Sequence, residues 1–302
     1  MPKPPPPLHE RLEAEARERL ARKVFEYFFG GADDEVTLDE NMITFDRVWF
    51  RPRVLADVSR RDLTTTAVGQ QIAMPLAIAP MAYQRLVHPD GEVAMARAAA
   101  KAGIPMVLST LATTSIEEVV AAAPGPIWFQ LYVWKDRERT KALVERVAAA
   151  GASALVVTVD APIFGHRRRD EQNRFYLPDD YTLGNLEGLG VQPRPQNVPG
   201  SQLAAYFAEL GDPSFSWRDL EWLRSLSSLP IVLKGVVTAE DARLAADHGA
   251  AAVVVSNHGG RQLDSCIPTL EALPEVADAA GDRLEVWMDG GVRNGRDVAK
   301  AL

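Results

Sequence analysis

The sequence predicts an α/β fold, a TIM-type (β/α)8 barrel, and three observations carry that expectation. Seven short apolar runs recur from residue 75 onward, each ending in polar or glycine residues and followed by a segment of helical period. The runs are nearly continuous in Val, Ile and Leu rather than alternating, which is how parallel strands covered on both faces read. No G-x-G-x-x-G turn follows the first run, which disfavours a doubly wound dinucleotide-binding sheet and leaves the barrel.

Taken in order, the chain opens with MPKPPPP, a short proline-rich tail expected to be disordered. Residues 8 to 30 read as one amphipathic helix leading into Tyr27, and residues 1 to 74 as a helical and hairpin cap. The strand candidates are PLAIAP (75 to 80), PMVLST (105 to 110), PIWFQLY (126 to 132), ALVVTVD (154 to 160), PIVLKG (230 to 235), AAVVVSN (251 to 257) and LEVWMDG (284 to 290). Helix starts are marked by Ser115 with Glu118, Thr238 with Asp241, and Asn294 with Asp297, as capping boxes or close variants. Gly103, Gly151 and Gly249 stand where helices should stop.

Residues 176 to 216, rich in Gly, Pro, Ser and Asn, form a long insertion after the fourth run. Loops of that length in a barrel are usually lids, and this one is expected to be mobile over the site. Residues 75 to 302 thus supply barrel units one to seven of a single domain spanning 1 to 302. Leu302 falls early in the helix after the seventh run, so the expectation is a barrel lacking its last β/α unit in this sequence.

A chain of 302 residues with 47% hydrophobic content can bury a large core. Its net charge of -8 argues against nucleic acid as a partner, because phosphate binding needs a broad basic face. Cys266 is the only cysteine, so neither an internal disulfide nor a cysteine-based zinc site is available, and a reducing cytoplasm is expected. No metal site is read, and no stretch approaches the roughly 20 apolar residues of a membrane span.

Active sites of barrels lie at the carboxyl ends of the strands. Those ends carry Pro80, Met81 and Ala82, Ser109, Gln130 with Tyr132, Thr158 with Asp160, Lys234, His258 with Arg261, and Asp289 with Gly290, Gly291 and Arg293. Singly, a strand-end Ser, Thr or Asp is as well explained as a helix cap. Seven consecutive units aiming polar groups at one mouth are not.

His258, followed by two glycines, stands opposite Asp160, and a neutral imidazole backed by a carboxylate is the usual general base near pH 7. His88, His166 and His248 lack such surroundings and read as structural. Arginine clamps a carboxylate through two parallel hydrogen bonds; Arg261 is one candidate, and the GHRRRD run (165 to 170) supplies others, of which at least two should be solvated. Lys234 could pair with a carboxylate, form a Schiff base or sit beside an electron-accepting ring. The GGVRNG turn (290 to 295) has the glycines, helix start and arginine of a barrel phosphate site.

With SNHGGRQLD (256 to 264), LKGV (233 to 236) and DGGVRNG (289 to 295) in place, the chain from about residue 20 onward resembles the FMN-dependent 2-hydroxy acid oxidase family. The resemblance implies His258 as the base that takes a substrate proton, with Asp160 stabilising the imidazolium. It assigns Arg167 and Arg261 to the substrate carboxylate and Tyr27 and Tyr132 to substrate oxygens. It implies FMN contacts from the Pro80 to Ala82 backbone, Ser109, Gln130, Thr158 and Lys234, with Asp289, Gly291 and Arg293 toward the ribityl phosphate. A further Gly-Arg pair, which the family carries in an eighth strand, has no counterpart in this sequence.

Glycolate oxidases usually have tryptophan where this chain has Leu111, which leaves room for a substituent on the 2-carbon. APMAYQRLVHPDGE (79 to 92) and LSTLATTS (108 to 115) resemble bacterial L-lactate oxidases, with hydroxymandelate-oxidising relatives next. Ala82 matches oxidases rather than lactate monooxygenases, which usually have glycine there. The expected activity is oxidation of a small L-2-hydroxy acid, L-lactate for preference, to the 2-oxo acid, with oxygen reduced to hydrogen peroxide by a homotetramer. The alternatives are a dehydrogenase or mandelate-type oxidase of the same family, a Schiff-base aldolase using Lys234, and an inactive barrel kept as a scaffold.

Overall fold

Six parallel strands form one sheet whose spatial order follows the chain, as β/α units laid side by side require. The computed structural model describes residues 5–191 and 201–302. Three helices come first, α1 (Leu8–Arg19), α2 (Arg22–Phe29) and α3 (Val36–Arg47), then an antiparallel hairpin of β1 (Thr65–Ala67) and β2 (Gln70–Ile72). The sheet and its helices follow as α4 (Gly91–Ala102), β3 (Met106–Ser109), α5 (Ile116–Ala122), β4 (Ile127–Leu131), α6 (Arg137–Ala149) and β5 (Ala154–Thr158). Next come α7 (Arg168–Gln172), α8 (Gln202–Leu210), α9 (Leu220–Ser225), β6 (Ile231–Val236), α10 (Ala239–Asp247), β7 (Ala252–Val255), α11 (Thr269–Ala280), β8 (Glu285–Met288) and α12 (Gly295–Ala301).

The strands read as continuous apolar runs because both faces are covered. Leu108, Phe129, Leu131, Leu155, Val157, Leu233 and Val253 face the helices, while Val107, Trp128, Val156 and Val232 face the other way and pack with Ala67 and Ile72 of the hairpin. Helix α6 shows how a helix joins this core. Thr140, Leu143, Val144 and Val147 are buried, the i, i+3, i+4, i+7 stripe of a helix that covers a sheet. Burying each of the three aliphatic side chains stabilises the fold by roughly 1.5–3 kcal/mol, and Asp136 caps the start by accepting from the Arg139 amide.

Ser115 with Glu118 and Asn294 with Asp297 form reciprocal capping boxes, and Thr238 accepts from the Asp241 amide. Helices α4, α6 and α10 give way within two residues to Gly103, Gly151 and Gly249, all at positive φ.

Two expectations need correction. The run at 75 to 80 is not a strand: only Ile78 bridges to Met106, through Ile78 N to Pro105 O and Val107 N to Ile78 O. Pro75 and Pro80 at its ends have no amide to donate, and among the described residues its other side has no strand partner. The single helix at 8 to 30 is two, because Leu20 is extended at φ -86°, ψ 145°; α1 buries none of its residues and is held by side-chain pairs such as Glu13 with Arg17. The insertion carries α8, anchored by a bridge from Trp134 to Gly211 and by Lys135 Nζ on the Ala208 carbonyl. The expectations of disorder at 1 to 4 and of mobility at 192 to 200 lie outside the described residues.

Candidate active site

Register places the polar strand ends side by side: Ser109 is opposite Gln130 and Thr158 opposite Lys234. The Ser109 hydroxyl lies 3.3 Å from Gln130 Oε1, and Gln130 Nε2 donates to Thr158 Oγ1 at 3.0 Å. This row floors a cavity of about 330 Å3. The cavity also takes in Tyr27, Pro80, Met81, Ala82, Leu111, Tyr132, Arg167, His258, Arg261 and Asp289, which the chain brings from segments as far apart as Tyr27 and Asp289.

His258 follows β7 in the left-handed conformation, φ 60°, with its amide donating to Ser256 Oγ at 3.1 Å. Its Nδ1 lies 2.8 Å from Asp160 Oδ1. An ionised carboxylate only accepts, so Nδ1 carries the proton and Nε2 is left with its lone pair. Burial pushes the imidazole below its ordinary value, and Lys234 and Arg167 push the same way while Asp160 opposes. Burial also works against the Asp160 charge, but His258 and then Lys234 outweigh it and hold the carboxyl below its usual range. At neutral pH the pair is thus neutral imidazole and carboxylate, the state a general base requires.

Gly235 of LKGV makes this pair possible. At φ 117° a Cβ there would stand 2.6 Å from the Asp160 Cβ, so any larger residue would displace the carboxylate.

Lys234 is buried. Its Nζ lies 3.1 Å from Asp289 Oδ2 and donates to Ser256 Oγ at 2.7 Å. Burial opposes the charge, but Asp289 and Asp160 more than offset it and raise the ammonium's affinity for its proton. A permanently charged lysine is a poor Schiff-base nucleophile. Asp289 Oδ1 is buried without a partner.

Of the three arginines in the GHRRRD run, Arg167 turns inward and is buried. Its Nε donates to the Arg261 carbonyl at 3.1 Å, its guanidinium lies over Phe164, and Asp170 stands behind it at 4.0 Å. Burial first, and Arg261 second, bring its pKa down to about 10, which still leaves it charged. Arg168 and Arg169 pair with Asp34 and Glu35 at the surface. Arg261 uses Nη1 on the carbonyls of Tyr27 and Gly30. Tyr27 stacks on Phe175, with ring centroids 4.1 Å apart. Burial raises the pKa of both Tyr27 and Tyr132, so both phenols stay protonated and can donate.

Gly291 and Arg293 are not brought to the cavity wall. Arg293 is exposed and its Nη1 turns back to the Val292 carbonyl. Gly291 answers to packing: a Cβ there would stand 2.0 Å from the Asn41 carbonyl oxygen. His88, His166 and His248 lie outside the cavity lining. His166 pairs with Asp33 and His248 stacks on Trp217.

Sequence reasoning missed four contributors. Ser256 joins Lys234 to the His258 backbone. Gln262 donates to the Asp160 and Ile163 carbonyls and accepts from the Gly165 amide, tying the Arg167 loop to the His258 loop. Both sit inside SNHGGRQLD, where a role for every member of the motif could have been sought. In the buried Asn41–Asn257 pair, with reciprocal bonds of 2.9 and 2.8 Å, Asn257 belongs to that motif too, whereas its partner Asn41 and Phe207 on α8, which lines the cavity, had no local signal.

A barrel-type sheet whose mouth holds a base, a buried cation and an inward arginine defines a redox or proton-transfer enzyme of an anionic substrate. The chain belongs to the FMN-dependent dehydrogenase family, which matches residues 16–302. It is 51% identical to an L-lactate oxidase of Nostoc sp. over 291 residues, 95% of this chain and 80% of that protein. It is also 51% identical to glycolate oxidase 1 of Zea mays over 290 residues, 96% and 78% of the two chains. Mandelate oxidase solved with (S)-4-hydroxymandelic acid superposes with a TM-score of 0.91 at 43% identity, over 97% of this chain and 82% of that one. Members of this family use FMN, and no helix among the described residues is long and apolar enough to cross a membrane.

Proposed function

We propose that the protein oxidises a small L-2-hydroxy acid, L-lactate for preference, to the 2-oxo acid. The carrying observation is one cavity that unites the His258–Asp160 pair with Arg167 and Arg261. Arg167 and Arg261 hold the substrate carboxylate, and Tyr27 and Tyr132 donate to its oxygens. His258 Nε2 takes a proton from the substrate, and the resulting imidazolium is stabilised by Asp160 2.8 Å away.

The donor set suits FMN: Ser109, Gln130 and Thr158 form a contiguous row of hydrogen-bonding groups, Lys234 adds a buried cation, and Asp289 Oδ1 is a buried acceptor with no protein partner. In this reading that row, the Pro80 to Ala82 backbone and Lys234 would hold the flavin ring, and Asp289, Gly291 and Arg293 would serve its ribityl phosphate. FMN held there would supply the two-electron redox chemistry, with oxygen as the final acceptor and hydrogen peroxide as its product. Identity to lactate and glycolate oxidases is equal, so the preference for L-lactate rests on Leu111, an apolar cavity residue smaller than tryptophan.

Of the insertion at 176 to 216, helix α8 covers the site as a lid and supplies Phe207. A homotetramer in a reducing cytoplasm completes the reading, supported by the lone cysteine and by the exposed apolar stretch around Trp49, Val54 and Leu55; light scattering and cell fractionation check both.

The test is the visible spectrum with FMN, followed by L-lactate or mandelate without oxygen and then readmission of air. Bleaching and recovery with peroxide are expected. Bleaching without recovery in air identifies a dehydrogenase, and no bleaching by any 2-hydroxy acid overturns the reading.

A further inference from the structure

Beside the active-site cavity lies a second one of about 400 Å3, and the two share three wall residues: Tyr132, Thr158 and Phe207. The rest of the second cavity is largely apolar, with Val133, Ala161, Pro162, Phe215, Trp217 and Leu220 among its lining. The carboxylates at its edge are already engaged, Asp212 with Arg137 and Asp241 with Thr238. Its chemistry therefore suits an uncharged hydrocarbon or aryl group.

The three shared residues are not equivalent. Tyr132 follows β4 and is half-buried, and Thr158 is fixed at the end of β5 by Gln130. Phe207 alone comes from the insertion, on the nine-residue helix α8. Its ring stands edge-on to Tyr132 at 4.5 Å and lies 5.3 Å from Phe164, so it forms the removable part of the partition. With the substrate carboxylate on the two arginines, the apolar lining of the active-site cavity includes Leu111, Phe164 and Phe207.

We propose that Phe207 sets the upper size limit on the substrate side chain, and that the cavity behind it receives an apolar tail once that ring is cut back. This rests on the 2-hydroxy acid reading above and adds to it a residue that determines specificity. The reaction is unchanged; only the chain length that can reach it differs.

The test compares kcat/KM for L-lactate, L-2-hydroxyhexanoate and L-2-hydroxyoctanoate in the FMN-loaded wild type, Phe207→Ala and Phe207→Leu. The octanoate-to-lactate ratio is expected to rise tenfold or more in Phe207→Ala and by less in Phe207→Leu. Adding Leu220→Trp, which refills the second cavity from its far wall, should take that gain back. Binding is read separately from turnover through Trp217: titration with unreactive 2-oxooctanoate should change tryptophan emission in Phe207→Ala and not in Phe207→Ala/Trp217→Phe.

Ratios within twofold of wild type in both Phe207 variants, with normal flavin spectra, would overturn the proposal, as would a gain that Leu220→Trp leaves intact. Should Phe207→Ala fail to take up flavin, the Phe207→Leu ratio and the same emission titration run in Phe207→Leu decide. Failure of wild type to oxidise any member of the series would instead sink the functional reading, and only that.

Discussion

The two halves of the active-site cavity are built on opposite principles. The charged half, Asp160, His258, Lys234 and Asp289, stands on the ends of adjacent strands, and each member is fixed by at least one ion pair or hydrogen bond to another. The apolar half, Leu111, Phe164 and Phe207, comes from loops and an inserted helix; Leu111 packs into the core, and Phe207 meets Tyr132 and Phe164 ring to ring. A network of buried charges tolerates no missing member, because the partner left behind is costly. Packed rings can change with modest loss. The first half therefore fixes the chemistry and the second is free to set which substrate enters.

The largest effect expected from breaking the charged half is His258→Gln, which should slow anaerobic flavin reduction by roughly 10²–10⁴-fold, the span of a lost general base. Stopped-flow bleaching measures it, and a change below threefold would remove His258 from that role. Next is Arg167→Leu: losing hydrogen bonds to a charged group costs about 1.5–3 kcal/mol, or about 10- to 100-fold, and should appear chiefly in KM.

A pH profile sharpens the same half. The base works when neutral, and burial lowers the imidazole from 6.5, so kcat/KM should hold through pH 6.5 and fall only as pH drops through the lowered value. Asp160 is what opposes that shift, so Asp160→Asn should move the acid limb to still lower pH while reducing the plateau. A limb above 6.5 in the wild type would contradict the environment described.

Gly235→Ala tests whether the backbone around the pair is as constrained as its geometry implies. A non-glycine residue at φ 117° costs about 1–3 kcal/mol, and the new methyl meets Asp160; a lowered Tm with slower flavin reduction is expected. The smallest effect belongs to Arg168→Ala. Its surface pair with Asp34 contributes about 0–1 kcal/mol, and KM should stay unchanged, in contrast to its neighbour Arg167.

That contrast also marks how far the sequence alone could go. The charged half was legible because its residues sit at strand ends in short motifs, where β/α periodicity gives both place and direction. Periodicity gave Arg167 no such direction; which of three adjacent arginines turns inward is decided by burial against Phe164 and by the Arg261 carbonyl. Phe207 was invisible because it lies in an insertion without period or motif. The run at 75 to 80 misled because its composition is that of a strand, while strand pairing depends on neighbours that composition does not reveal. The break at Leu20 had no glycine or proline to announce it.

The Asn41–Asn257 pair joins residues 216 positions apart, and Asn41 also accepts from the Thr269 amide, whose side chain holds the Asp289 carbonyl. Contacts of such sequence separation form late, since the loop between them must close before they reward it. The catalytic histidine's loop should thus be among the last parts of the molecule to set during folding. A folding intermediate would carry a formed sheet and no working base, and recovery of activity after denaturation should lag behind recovery of helical signal.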